Sequence, residues 1–115
     1  KLLAKNNLTL ADVDVIEMHE AFAGQVLANF AALGSDSFAQ KNLDRSSKVG
    51  DVDVDRVNKL GGSLSLGHPF GATGSRLITT AANRLHREQK RIALVAACAD
   101  GGIGHACLLE RYDAP

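Results

Sequence analysis

The sequence is poor in the residues that mark specialised folds. Its 115 residues include two cysteines, two prolines, one tyrosine and no tryptophan. Two thiols, Cys98 and Cys107, are too few for a disulfide scaffold, so we expect them to be free, with a single Cys98–Cys107 bridge as the alternative. Thirteen basic residues balance thirteen acidic ones, and this balance gives no net field that would attract nucleic acid or an anionic membrane.

Long apolar runs are also missing. No segment approaches the roughly 18 apolar residues that a membrane span needs. The first residues, KLLAKNNLTL, contain neither an initiating methionine nor the apolar stretch of a signal peptide. The apolar fraction of 45% and the mean hydropathy of -0.04 are typical of a globular protein. We therefore expect one domain at most over residues 1–115.

Strands and helices are predicted to alternate along the chain. Apolar, β-branched or alternating runs predict four strands, at residues 13–18, 63–66, 92–97 and 103–109. Helical spacing predicts helices at residues 1–5, 21–33 and 77–85, the last capped by Thr73 or Ser75. The polar stretch 35–56 is expected on the surface, with one helical turn near 38–43. Because residues 1–5 look like the last turn of a helix, we expect the chain to be a fragment.

This order, β-α-β-α-β-β, predicts an α/β fold. We expect a mostly parallel sheet covered by helices, ending in an antiparallel hairpin that turns at Asp100-Gly101-Gly102. Ligands of such sheets gather at the carboxyl ends of the strands. His19, His68 and Cys98 all lie at or just after predicted strand ends, so they are the candidate functional residues.

The segment after the first predicted strand invites comparison with a zinc-binding helix. His19-Glu20 begins the H-E-x-x-H pattern, but the second histidine would have to be residue 23, which is alanine. The plain alternative is a strand-to-helix junction in which Glu20 favours the helix dipole and Phe22 enters the core.

The other two motifs also have alternatives. The glycine-rich segment 67–74 has neither the Walker ending nor the G-x-G-x-x-G spacing of a phosphate loop. A histidine at a helix start lies near backbone N–H groups, which helps to keep it a neutral base. Cys98, His105 and Cys107 form a conceivable zinc site, but their spacing matches no common pattern. A buried cysteine followed by a hairpin turn is the alternative there.

The three motifs in their order resemble one family. MHEAFA, then GGSLSLGHPFGATG, then CADGGIGHACLLE, is similar to the C-terminal domain of thiolases, and the resemblance extends from residue 1 to about Tyr112. His19 stands where most thiolases carry asparagine before Glu-Ala-Phe. In this respect, and in the long excursion at 35–56, the chain resembles the β subunit of the fatty-acid-oxidation multienzyme complex.

The resemblance implies an acyltransferase. Thiolases cleave a 3-ketoacyl-CoA with CoA to acetyl-CoA and a shortened acyl-CoA, or run the reverse Claisen condensation. In that chemistry His68 would accept the proton of a nucleophilic cysteine and Cys98 would protonate the departing enolate. His19 would support the oxyanion site at the thioester oxygen, and backbone N–H groups at Asp100 and Gly101 would build a second one.

The resemblance also implies the surroundings of the site. Phe22 and Phe70 would line the substrate pocket. The partners would be acyl-CoA and CoA, an N-terminal thiolase domain, further copies of the chain, and the α subunit of a β-oxidation complex. No metal and no cofactor is expected, because coenzyme A is a substrate. The expected compartment is the cytoplasm, or the mitochondrion in a eukaryote.

The sequence departs from the family in two respects. Asp100 stands where the family has glycine or alanine, and its carboxylate either raises the pKa of Cys98 by repulsion or points outward. The acylating cysteine is absent, so the chain is expected to lack its first strand and whole N-terminal domain and to be inactive alone. Two other functions stay open: a β-ketoacyl synthase, and a non-catalytic thiolase-like lipid-binding or assembly module.

Overall fold

The protein forms a three-stranded mixed sheet with helices on both faces. The computed structural model describes residues 1–112. The strands are β1 (Val15–Met18), β2 (Ile92–Ala99) and β3 (Ile103–Glu110), side by side in that order. β1 pairs with β2 in parallel, and β2 pairs with β3 as an antiparallel hairpin. The α/β class and the C-terminal hairpin predicted from the sequence are therefore confirmed.

Five helices lie within residues 1–112. They are α1 (Leu2–Lys5), α2 (Ala23–Leu33), α3 (Asp36–Asn42), α4 (Ser63–Leu66) and α5 (Thr73–Arg87). Three short 3-10 turns lie between them, at Leu10–Asp12, Val54–Arg56 and Phe70–Ala72. None of the helices within residues 1–112 has the length and apolar character needed to cross a bilayer.

β1 and the first half of β2 are buried on both faces, which is why this part of β2 is a continuous apolar run. One face packs against α5, and its buried residues are Val15, Leu77, Ala81, Leu85, Ala93 and Val95. The other face packs under the N-terminal segment, and its buried residues are Leu10, Val13, Ile16 and Ile92. The two clusters thus hold β1 and the first half of β2 between α5 and the N-terminal segment.

The strand predicted at residues 63–66 is wrong. This segment forms the single helical turn α4, and Leu64 and Leu66 are 60% and 61% exposed. Their alternation with serine therefore reflects no buried sheet face. The carboxylate of Glu20 accepts a hydrogen bond from the Leu64 N–H at 3.0 Å, which satisfies a free donor in the first turn. The neighbour of β1 is instead Val57, through one parallel bridge to Ile16.

A buried ion pair joins the sheet to α5. Glu17 and Arg84 are 1% and 2% exposed, and Arg84 Nη1 lies 2.9 Å from Glu17 Oε1. Arg84 Nε also donates to Glu88 Oε1 at 2.8 Å, so the guanidinium is shared between two carboxylates. Burial raises the pKa of Glu17, and the hydrogen bond from Arg84 opposes this rise. The pair fixes the register of α5 against β1.

We predict that Arg84→Leu destabilises the protein by about 3–5 kcal/mol, because it leaves the Glu17 carboxylate buried without its cation. The pKa of a carboxyl raised on folding makes ionisation costly, so the loss should be smaller at about pH 4 than at pH 7. Urea unfolding at both pH values measures this. Arg87→Leu, at an exposed position on the same helix, is the matched control, and an equal loss in both variants would contradict the role of the pair.

Candidate functional site

A cleft of about 690 Å³ opens at the carboxyl ends of β1 and β2, and His19, His68 and Cys98 all line it. His19 directly follows β1, and Cys98 is the penultimate residue of β2. His68 comes from the loop between α4 and α5. The structure thus brings together the three residues that the sequence placed at strand ends, from segments far apart along the chain.

The two imidazole rings are neighbours. Their centroids are 4.2 Å apart, with an angle of 37° between the ring planes. His19 is 4% exposed, and its backbone N–H donates to Ala96 O at 2.8 Å, which continues the pairing of β1 with β2. Burial lowers the pKa of His19, and the nearby His68 and Arg76 lower it further, whereas Glu20 raises it. His19 is therefore a neutral imidazole at neutral pH.

Each imidazole is held through Nδ1 by a hydroxyl group. His19 Nδ1 lies 2.8 Å from Ser63 Oγ, and His68 Nδ1 lies 2.7 Å from Thr73 Oγ1. Thr73 is the first residue of α5 and makes no side-chain cap, so the predicted capping role is wrong. Its hydroxyl orients His68 instead. Because both Nδ1 atoms are occupied, Nε2 is the nitrogen that each ring keeps for other partners.

The loop that carries Ser63 is tied to β1 by Asn58, which the sequence analysis missed. The Asn58 side-chain amide bonds both backbone groups of Met18, accepting from N and donating to O, each at 2.8 Å. It also donates to Glu20 Oε1 at 2.5 Å. Asn58 has a φ of 46°, a left-handed conformation that asparagine tolerates. A lone asparagine before Lys-Leu-Gly-Gly is the only signal in the sequence, and it predicts a turn.

Glu20 therefore has a different role from the predicted one. Its carboxylate makes its hydrogen bonds with Asn58 and with the first turn of α4, and not with the start of α2, the helix that follows it. A Cβ atom added at Gly62 would overlap this carboxylate. An alanine at 62 therefore fits only if the Glu20 carboxylate moves away from Asn58 and from the first turn of α4.

The turn after β2 carries an aspartate, Asp100, two residues after Cys98. Gly101 and Gly102 have φ values of 87° and 74°, so both positions require the left-handed conformation that glycine supplies. Cys98 is half-buried with a free thiol, and Asp100 lines the same cleft. Asp100 Oδ1 accepts a hydrogen bond from Gly101 N at 2.9 Å. Of the two N–H groups expected to donate to an oxyanion, that of Gly101 is therefore occupied by the side chain before it.

The two phenylalanines differ in position. Phe22 lines the cleft and is 74% exposed, so the alternative in which it enters the core is wrong. Phe70 is 83% exposed and is not among the cleft-lining residues; its ring stands edge-on to that of His68, with centroids 5.1 Å apart. Phe22 is thus the aromatic residue at the entrance, whereas Phe70 supports the histidine.

A second cavity of about 410 Å³ continues from Cys98 across β2 and β3, lined by His19, Gln25 and His105 among others. Gln25 Oε1 is a buried acceptor without a partner within residues 1–112, and Gln25 borders both cavities. Nothing in the sequence distinguishes Gln25 from the other polar residues of α2.

A metal site receives no support from the arrangement. Among residues 1–112 no group of three histidine, cysteine or acidic side chains could hold a metal ion, so Cys98, His105 and Cys107 do not form the conceivable zinc site. Cys98 and Cys107 are both free, which also excludes the bridge between them.

Comparison with known proteins agrees with this architecture. Residues 1–111 match the family described as "Thiolase, C-terminal domain". The chain is 57% identical over 112 residues to the mitochondrial trifunctional enzyme subunit beta of Mus musculus, covering 97% of this chain and 24% of that protein. It is 58% identical over 112 residues to a probable 3-ketoacyl-CoA thiolase of Caenorhabditis elegans, covering 97% and 25%.

A solved structure leads to the same family. Human mitochondrial 3-ketoacyl-CoA thiolase superposes with a TM-score of 0.73 at 34% identity, over 96% of this chain and 24% of that one. The chain thus has the fold of one part of a thiolase. It belongs to the thiolase family and corresponds to its C-terminal domain. It spans about a quarter of the length of the curated relatives it matches.

We predict that Gly62→Ala lowers the free energy of unfolding by about 2 kcal/mol or more, because its Cβ displaces the Glu20 carboxylate from two hydrogen bonds. Urea unfolding measures the loss, and faster exchange of the Leu64 amide hydrogen locates it. In Gly71→Ala the new Cβ meets nothing within 4 Å, which makes it the control. If the two variants were equally stable, the close approach at Gly62 would not matter.

Proposed function

We propose that this chain supplies the acid–base half of a thiolase active site, for cleavage of a 3-ketoacyl-CoA by CoA or for the reverse Claisen condensation. The observation that carries the proposal is the meeting of His19, His68 and Cys98 in one cleft. Two imidazoles and a thiol suit this chemistry, which needs a base for a nucleophile, donors for an enolate oxygen and an acid for the enolate carbon. Coenzyme A is the proposed substrate, without a further cofactor.

In the cleavage direction, an acylating cysteine attacks the 3-keto carbon and gives its proton to Nε2 of His68. The bond between the α- and β-carbons then breaks, and its electron pair passes into the enolate of acetyl-CoA. His19 and His68 stabilise the enolate oxygen, and the Cys98 thiol protonates the carbon. Finally CoA attacks the acyl-enzyme and releases the shortened acyl-CoA.

The acylating cysteine is proposed to lie in an N-terminal domain outside this chain. Cys107 does not suit that role, since it packs in β3 against the cluster under α5. A complete site thus requires a further domain. The relatives are about four times as long as this chain, which is long enough to include one.

The wider assembly is part of the proposal. We propose a homo-oligomer that associates with the α subunit of a β-oxidation complex, on the support of the similarity to trifunctional enzyme subunit beta. The mouse relative is mitochondrial by name, which supports a mitochondrial location if the source is a eukaryote. For a bacterial source the cytoplasm remains the expectation.

We predict that His68→Ala and Cys98→Ala each lower kcat by at least about 100-fold in the complete polypeptide, because each removes an acid–base group. The assay follows acetyl-CoA formation from a 3-ketoacyl-CoA and CoA. Cys107→Ala removes the second thiol of residues 1–112, which has no proposed role in the reaction, and should keep kcat within a few-fold. A near-normal rate in either of the first two variants would remove that residue from the mechanism.

We predict that Asp100→Ala raises kcat by about tenfold or more, because it releases the Gly101 N–H from the carboxylate and makes it available to an oxyanion. The same acetyl-CoA assay measures the change. Asp100→Asn retains an acceptor for the N–H and should gain less. No gain in Asp100→Ala would show that the contact between Asp100 and Gly101 does not limit the reaction, and an inactive parent protein would favour the non-catalytic module.

A further inference from the structure

Ser63 joins a fixed cation to His19. Its hydroxyl oxygen lies 3.0 Å from Arg76 Nη2 and 2.8 Å from His19 Nδ1. Arg76 is held in place by a second hydrogen bond, from Nη1 to Gly67 O at 2.7 Å. Ser63 is 7% exposed and His19 is 4% exposed, so solvent has little access to the contact. The guanidinium, the hydroxyl and the imidazole form one chain of hydrogen bonds.

The chemistry of the three groups decides which of them donates in each hydrogen bond. A guanidinium only donates, so Arg76 occupies a lone pair of Ser63 Oγ. The serine hydrogen then needs an acceptor, and the contacts of residues 1–112 give Ser63 Oγ one other partner, His19 Nδ1. If His19 donated to Ser63 instead, the buried hydroxyl would keep its hydrogen without an acceptor, which is costly. The arrangement that satisfies every group has Ser63 donating to His19.

We propose that Ser63, polarised by Arg76, fixes His19 as the neutral tautomer with its hydrogen on Nε2, so that His19 presents a permanent N–H donor to the cleft. Ser63 and Arg76 are then positioning residues that act through His19. The burial and neighbouring positive charge that lower the pKa of His19 keep the ring neutral, as the tautomer requires. That this donor serves the enolate oxygen rests on the proposed function; the tautomer itself does not.

The relay explains how histidine can stand where most thiolases carry asparagine. The NH₂ group of an asparagine side chain always donates, whereas a neutral imidazole donates only from the nitrogen that carries its hydrogen. A histidine therefore replaces asparagine as a donor only when its tautomer is fixed. Ser63 and Arg76 supply that condition.

His68 differs in this respect. Its Nδ1 partner, Thr73 Oγ1, has no bonded cation among the contacts of residues 1–112. The Thr73 hydroxyl is free to donate or accept, and so His68 can move its proton between the two ring nitrogens. The two neighbouring imidazoles thus have different roles: His19 is a fixed donor, and His68 is able to take up and return a proton.

The tautomer is tested directly by NMR of the complete polypeptide labelled with ¹⁵N-histidine, in which His19→Asn assigns the His19 signals. We expect a protonated Nε2 and an unprotonated Nδ1. Ser63→Ala should shift both signals toward an average of the two tautomers, and Ser63→Thr, which keeps the hydroxyl, should restore the parent pattern. A protonated Nδ1 in the parent protein would overturn the proposal.

Activity tests the consequence. Ser63→Ala should lower kcat about tenfold in the parent, but less than about twofold in a protein that already carries His19→Asn, whose amide needs no relay. Ser65→Ala is the matched control, because the Ser65 hydroxyl bonds Gly62 O and not the histidine. Equal losses from Ser63→Ala in both backgrounds would contradict an action through His19. An inactive parent would contradict the proposed function, and the NMR result would still decide the tautomer.

Discussion

The side-chain amide of Asn58 is the contact on which the site depends. It takes the place of a neighbouring strand by pairing both backbone groups of Met18 at the end of β1. Those groups would otherwise lie at an open sheet edge, where unpaired donors and acceptors are costly once buried. The same amide donates to the Glu20 carboxylate, which also accepts a hydrogen bond from the first turn of α4. The loop with Ser63 and His68 therefore docks beside His19 and does not extend into solvent.

The platform beneath the loop is stabilised independently. Two apolar clusters cover the faces of the sheet, and the Glu17–Arg84 pair sets α5 against β1. α5 in turn begins at Thr73, which bonds His68, and includes Arg76, which bonds Ser63. One helix thus supplies a hydrogen-bond partner for His68 directly and one for Ser63, which in turn bonds His19. A buried ion pair contributes little net stability, but it specifies one register, and that register places the partners.

The sequence predicted this architecture wherever a periodic apolar pattern coincided with real burial. The run Ile92–Ala97 and the glycine turn after it predicted the hairpin correctly, because the first half of β2 is buried and the two turn glycines have left-handed φ values. Ser63–Leu66 was mispredicted, because alternation in four residues cannot distinguish a strand from a helical turn whose leucines face outward. His19 and Cys98 were predictable because they lie at the ends of real strands, whereas His68 was predictable only from its glycine-rich motif, since it follows the helical turn α4 and not a strand. Asn58 and Arg76 were not, because their roles depend on contacts 13 to 40 residues away along the chain.

The chain of contacts from Arg76 through Ser63 to His19 also constrains the order in which its members could arise. A serine and an arginine beside an asparagine at position 19 are harmless, since the amide donates in any case. A histidine without the serine would populate both tautomers. In one of them Nε2 carries no hydrogen, and the ring then cannot donate from that nitrogen to the cleft. In a protein with asparagine at position 19, gaining the serine before the histidine would keep a donor in the cleft at every step. Once histidine occupies position 19, replacing the serine would cost the fixed donor, so position 63 becomes constrained.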